Sequence, residues 1–145
     1  MNSPTLSLFL LAPIFGQFAT AADWPRFRGP HGDGLWNPPH LPAKIADAEP
    51  QRLWTTSIGG GYGGVTVADD RVFIMERDTT PTEQESVTCR DAATGDLLWR
   101  HDWPVEYGSM EYGNGPRASV LIDSASHQAF AFGATGIAVC LDIDS

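Results

Sequence analysis

The chain has 145 residues, with 15 Gly, 11 Pro and aromatic residues at 10%, a balance that suits many short strands and turns and argues against long helices. Nine Lys and Arg stand against 18 Asp and Glu, giving a formal charge of −9, so the chain lacks the basic face that a nucleic-acid partner calls for.

Residues 1 to 22 carry no charged side chain and contain an apolar run from Leu6 to Phe18, broken by Pro13 and Gly16. The run is too short to cross a bilayer comfortably, and Ala19-Thr20-Ala21 places small residues at the −3 and −1 positions of a cleavage site. Residues 1–22 therefore read as a secretory signal peptide, cut after Ala21 or Ala22; an uncleaved anchor or a misplaced start is the alternative. That reading places the mature chain in a periplasmic or extracellular compartment, without an integral membrane segment. No Cys stands directly after the apolar run, so a lipid anchor is not indicated.

Residues 23–50 are rich in Pro and Gly and have little periodicity, and read as an N-terminal arm. Trp24, Phe27 and Trp36 argue for order, since burying each ring is worth on the order of 2 kcal/mol. Asp33 is placed to pair with Arg26 or Arg28. The arm reads as a cap on one end of the fold, with a ligand-contacting lid as the alternative. His31 and His40 have no acidic or thiol neighbour at metal-ligand spacing and read as surface residues.

Residues 51–57 read as a lone strand around Trp54, whose partners would belong to another part of a longer protein. Gly59 to Gly64 leads into a first unit, residues 63–102. It holds an inner strand Val65 to Ala68, a turn at Asp69-Asp70, and a strand Arg71 to Glu76 with Val72 and Ile74 opposite Phe73 and Met75. A polar loop Arg77 to Ser86, a strand Val87 to Asp91 and an outer strand Asp96 to Arg100 follow. Asp91 to Gly95 supplies the turn between the last two, because Asp and Thr bond nearby backbone and Gly95 accepts φ > 0. A long connection, Asp102 to Pro116, leads to a second, incomplete unit, residues 116–145. This has strands Arg117 to Val120, Gln128 to Phe132 and Ile137 to Asp142, and no fourth strand. Exposed edges at both sides leave such a piece prone to further pairing.

The two units echo each other. Leu53-Trp54 recurs as Leu98-Trp99, 45 residues on, and Cys89-x-Asp91 recurs as Cys140-x-Asp142, 51 residues on. A period of about 40–50 residues with several short strands per unit is that of a radial β-propeller, so the sequence stops inside a repeat.

The pattern Cys89-x-Asp91-x-x-Thr94-Gly95-x-x-x-Trp99, with Cys140 and Asp142 in the second copy, resembles the repeat of the pyrroloquinoline-quinone (PQQ)-type β-propellers, the quinoprotein alcohol dehydrogenase-like family. Cys stands in both copies where that family usually has Ala, and Asp23-Trp24-Pro25-Arg26-Phe27-Arg28-Gly29-Pro30 resembles the start of secreted bacterial members. The resemblance implies an all-β fold: a partial propeller, about two blades of an eight-bladed ring of antiparallel four-stranded sheets, with the remaining blades missing from this chain. It further implies that Trp54 docks on Cys89 and Trp99 on Cys140, which makes the two thiols buried packing groups; a disulfide or a metal site is the alternative.

Little chemistry is legible. The glycine run lacks the Lys-Ser/Thr and the helix of a phosphate loop, Ser109, Ser119 and His127 form no nucleophile arrangement, and Glu83, Glu85, Glu106 and Glu111 read as solvated. The expectation is an exported, non-catalytic binding or scaffold module with an unidentified protein or small-molecule partner. The alternative implied by the resemblance is a PQQ-dependent dehydrogenase, with calcium and the quinone at the glycine-rich mouth and Tyr62, Arg77, Glu111, Asn114 and Arg117 as cofactor-binding candidates. The adjacent Cys pair of many such dehydrogenases is absent from the sequence.

Overall fold

A computed structural model describes residues 22–36 and 51–145; the signal peptide read over residues 1–22 lies outside them except for Ala22, as does the second half of the arm with His40. Among the described residues there are seven strands and no helix, so no helix is long and apolar enough to cross a membrane. Strands β1 (Thr66–Ala68), β2 (Arg71–Asp78), β3 (Gln84–Asp91) and β4 (Leu97–Pro104) form one antiparallel sheet in that order. Strands β5 (Leu121–Asp123), β6 (Gln128–Phe132) and β7 (Ala138–Asp142) form a second.

Short-range chemistry sets the hairpins. Asp69 and Asp70 both adopt positive φ, 52° and 56°, between the paired Ala68 and Arg71, the mirror-image turn whose twist matches that of the flanking strands. In the β3–β4 turn the Asp91 carboxylate accepts from the amides of Ala93 (2.9 Å) and Thr94 (2.8 Å). These bonds, that of Thr94 foremost, hold the Asp91 carboxyl below the ordinary carboxylate range. Gly95 closes the turn at φ 80°. On β4, Arg90 pairs with Leu97 and Cys89 with Trp99, so Leu98 is an extra residue, a bulge that returns the Trp99 ring to the inner face.

The core lies between the two sheets. Phe73, Met75, Val87, Cys89 and Trp103 of the first pack with Val120, Ile122, Ala129, Ala131 and Ile143 of the second, all at most 6% exposed. The arm joins the two sheets along their first strands. Trp24 exchanges backbone hydrogen bonds with Val67 (2.7 and 3.1 Å), and the Pro25 carbonyl accepts from the Ile122 amide at 2.8 Å.

Two indoles anchor at matching places. Trp54 donates Nε1–H to the Ala92 carbonyl (2.9 Å) and Trp99 donates to the Ile143 carbonyl (2.7 Å), in each case the residue after an Asp. Trp54 also lies against Gly95, where an added Cβ would fall 2.6 Å from the ring. The Trp99 ring sits 6.0 Å from that of Phe73.

Several expectations are corrected. Residues 51–57 form no strand: Trp54 is fixed by its side chain, and Gly60 by a backbone bridge to Arg77, at opposite ends of β2. The polar loop shrinks to residues 79–83, because Arg77 and Asp78 pair with Glu85 and Gln84 in the ladder. The second sheet opens at Leu121 rather than Arg117, since the preceding backbone is committed to the lead-in: Tyr62 N–H donates to Pro116 O, Gly64 N–H to Ser119 Oγ and Thr66 Oγ1 to Val120 O. In the arm only Trp24 is packed, whereas Phe27 and Trp36 are exposed. Arg26 and Arg28 bond backbone carbonyls, and Asp33 bonds the Leu35 amide instead of an arginine. The thiols differ: Cys89 is fully buried, Cys140 is exposed, and both are free.

Gly95→Ala forces a side chain into a positive φ and into the Trp54 ring. It is expected to cost about 2 kcal/mol or more, against about 1 kcal/mol for Gly136→Ala, whose site has open space. Urea unfolding followed by Trp fluorescence measures both. Burial pushes the Cys89 thiol up to about 11, so at pH 8 a thiol reagent is expected to label Cys140 alone in the folded chain and both cysteines in denaturant. Rapid labelling of both without denaturant contradicts the packing.

Candidate functional site at the loop end

One end of the two sheets gathers the glycine lead-in, loop 79–83, the connection after β4 and the β6–β7 turn. Its centre is Glu85, which points inward from β3 and is fully buried. Three donors converge on its carboxylate: Tyr107 Oη (2.6 Å), Trp103 Nε1 (3.2 Å) and the Ala134 amide (3.0 and 3.2 Å to the two oxygens). Ala134 belongs to the second sheet's turn, Trp103 to β4 and Tyr107 to the connection after it, so one carboxylate ties both sheets together. Gly133 is required beside it, since any Cβ there would collide with Oε2. A buried carboxylate with this many donors is stable in place, whereas one left without them costs several kcal/mol.

Positive charge at this end is also committed. Arg77 lies over the Tyr107 ring, 5.1 Å from its centroid, and pairs with Glu83. On the other face of the first sheet Arg100 reaches Glu76 (3.2 Å), Asp102 (2.6 Å) and Asp78, and the buried Glu76 also accepts from the Gly59 amide at 2.6 Å. Burial first, then the bond to Glu85, raises the Tyr107 phenol above its ordinary value.

The five cofactor-binding candidates fall into two groups. Tyr62 donates to the Tyr112 carbonyl (2.5 Å), Arg117 lies over the Tyr62 ring, and the same guanidinium donates to the carbonyls of Glu111 (2.5 Å) and Gly113 (2.9 Å). Asn114 is half-buried in the same loop, while Arg77 belongs to the Glu85 group. The Glu111–Asn114 loop thus already turns carbonyl oxygens toward a guanidinium, and the Glu111 side chain is exposed. This donor set does not fit a calcium–quinone pair, because Ca²⁺ takes six to eight oxygens and the cation seat belongs to Arg117. Among the described residues no group of three or more His, Cys, Asp or Glu is arranged to hold a metal ion.

A second concavity, about 350 Å³, lies between the arm and the outward face of the second sheet, walled by Pro25, Pro30, Leu121 and Phe130, with Arg26 and Asp123 at its rim. Both rim charges are occupied: Arg26 bonds Gly29 and Pro30 carbonyls, and Asp123 accepts from Ser126 and Ala125.

Comparison with protein-family models, with curated proteins and with solved structures finds no match.

The motif residues divide by role: Asp91, Thr94 and Gly95 build a turn, Trp54 and Trp99 clasp, and Cys89 fills the core. In the second sheet Cys140 lies open beside Asp142, which caps the Asp144 amide at 2.8 Å. Sequence reasoning missed Glu85, taken as solvated. The one available signal was its place two residues before Val87 and four before Cys89, on the alternation that carries the inner face.

Glu85→Gln puts an amide NH₂ against at least one of these donors and is expected to lower stability by about 1–3 kcal/mol, and Tyr107→Phe by about 1 kcal/mol. Because the folded phenol ionises above the unfolded one, its contribution is complete below pH 10 and fades as pH climbs through the raised value. Urea midpoints between pH 8 and 11.5 should therefore fall more steeply for the parent chain than for Tyr107→Phe; parallel curves contradict the assignment.

Proposed function

We propose that the chain is part of an exported PQQ-like β-propeller that works as a non-catalytic binding or scaffold module. One observation carries this reading: the paired indole clasps, Trp54 on the carbonyl after Asp91 and Trp99 on the carbonyl after Asp142. A clasp repeated between successive units is what a ring of blades needs, since each blade is a small sheet that cannot stand alone. Two further features support it. The sheets face each other through apolar inner faces, and their first strands, β1 and β5, lie side by side, as innermost strands around an axis would. The commitment of Glu85, Arg77 and Arg117 to internal partners supports a binding role over catalysis.

The complete protein as the cell makes it provides the test. Export predicts a mature form beginning at Ala22 or Asp23 in the periplasmic or culture fraction, read by intact mass; retention of residues 1–21 in the cytosol overturns it. The non-catalytic role predicts that PQQ with Ca²⁺ leaves alcohol-dependent dye reduction at background, and turnover above background establishes the dehydrogenase instead.

A further inference from the structure

The arm begins among carboxylates. Trp24 exchanges both backbone hydrogen bonds with Val67 in an antiparallel bridge, so Asp23 and Ala22 continue beside Ala68 and Asp69, where the β1–β2 turn begins. N–H groups along such a pairing point alternately toward the partner strand and away from it. The nitrogen of Trp24 points to β1, that of Asp23 away, and that of Ala22 toward Asp69, where among the described residues it finds no backbone acceptor. The Asp23 carboxylate faces the Asp69 amide, and burial, then the charges of Asp69 and Asp70, raise its carboxyl above the ordinary value. Arg71, next along the chain, is committed to Asp144 at 2.6 Å, and no ion pair among the described residues engages Asp23, Asp69 or Asp70. Three like charges thus crowd the point where the arm fastens.

We propose that removal of residues 1–21 fastens the arm, because the α-ammonium created on Ala22 seats among the carboxylates of Asp23, Asp69 and Asp70. The inference rests on the export reading and adds to it a structural consequence of processing. Hydrolysis breaks the Ala21–Ala22 peptide bond: the hydroxyl of the attacking water stays on the Ala21 carbonyl carbon and its hydrogen goes to the Ala22 nitrogen. The resulting amine takes a further proton from solvent, since an α-amine is ordinarily protonated below about pH 8. A neutral amide, which cannot offset the three carboxylates, becomes a cation pointed at them. The alternation also selects the bond that is cut. Cleavage after Ala22 puts the charge on the nitrogen that points away from the turn. Since Trp24 bonds the first sheet at Val67 and Pro25 bonds the second at Ile122, steadying their N-terminal neighbour steadies the junction of the two sheets.

The complete protein, prepared to begin at Ala22, is modified with trace acetic anhydride across a series of pH values, and the rate is read on the tryptic peptide 22–26. The Ala22 amine is expected to titrate about half a pH unit or more above its value in urea. The shift should vanish when Asp69→Asn and Asp70→Asn are combined, a pair that keeps the turn because Asn accepts the positive φ of both positions. At pH 7 the Val67 and Ile122 amides, which donate to the arm, should exchange hydrogen at least threefold faster after full acetylation of Ala22. Amides between β2 and β3 should be unchanged, the sign of an intact fold. An amine that titrates as it does in urea, a shift that survives both substitutions, or exchange that acetylation leaves untouched overturns the inference and leaves export standing. So does a natural mature form that begins at Asp23, whereas retention of residues 1–21 overturns both readings.

Discussion

A sheet of three or four short strands exposes far more apolar surface than it can keep in water, and it becomes stable only when one face is covered. Every other feature of this molecule follows from how that demand is met. The first sheet lays Phe73, Met75, Val87 and Cys89 against Ile122, Ala129 and Ala131 of the second, large residues meeting small ones so that the layers interdigitate. Trp99 then reaches across from the outermost strand to the last turn, binding through its ring and its N–H at once. Removing the facing sheet would leave the first with an uncovered apolar layer, and removing the clasp would leave the two layers free to slide.

Polar groups in this arrangement act as fasteners. Glu85 sits where the core meets the loop end and gathers donors from a strand, a connection and a turn. Arg100 gathers three carboxylates on the opposite face. Each buried charge is met on more than one side, the condition under which burial is tolerated.

The sequence made the strand pattern legible because its signals were local. Alternation in Val72 to Met75, the Asp-Asp turn and the Asp91–Gly95 turn depend on neighbours in the chain, and the all-β character with a four-stranded and a three-stranded antiparallel sheet follows from them. What was not legible depends on distant partners. Glu85 reads as solvated until Tyr107, Trp103 and Ala134 are brought to it. Arg77 and Asp78 read as loop until Glu85 and Gln84 are seen across the ladder. Residues 51–57 have the composition of a strand but no neighbour to pair with among the described residues, so their backbone runs free between two anchors. Cys89 and Cys140 look equivalent in sequence and differ because Cys89 faces the second sheet in the core and pairs with Trp99 of β4.

The arm carries a consequence for the order of events in folding. Trp24 and Pro25 leave the ribosome early, yet the amides and carbonyls that receive them belong to Val67 and Ile122, far downstream. Closing so long a loop before its reward exists is entropically unfavourable, so this segment must wait while both sheets are synthesised and then settle across them. During that interval the first strands of both sheets lack the backbone bonds that Trp24 and Pro25 later supply.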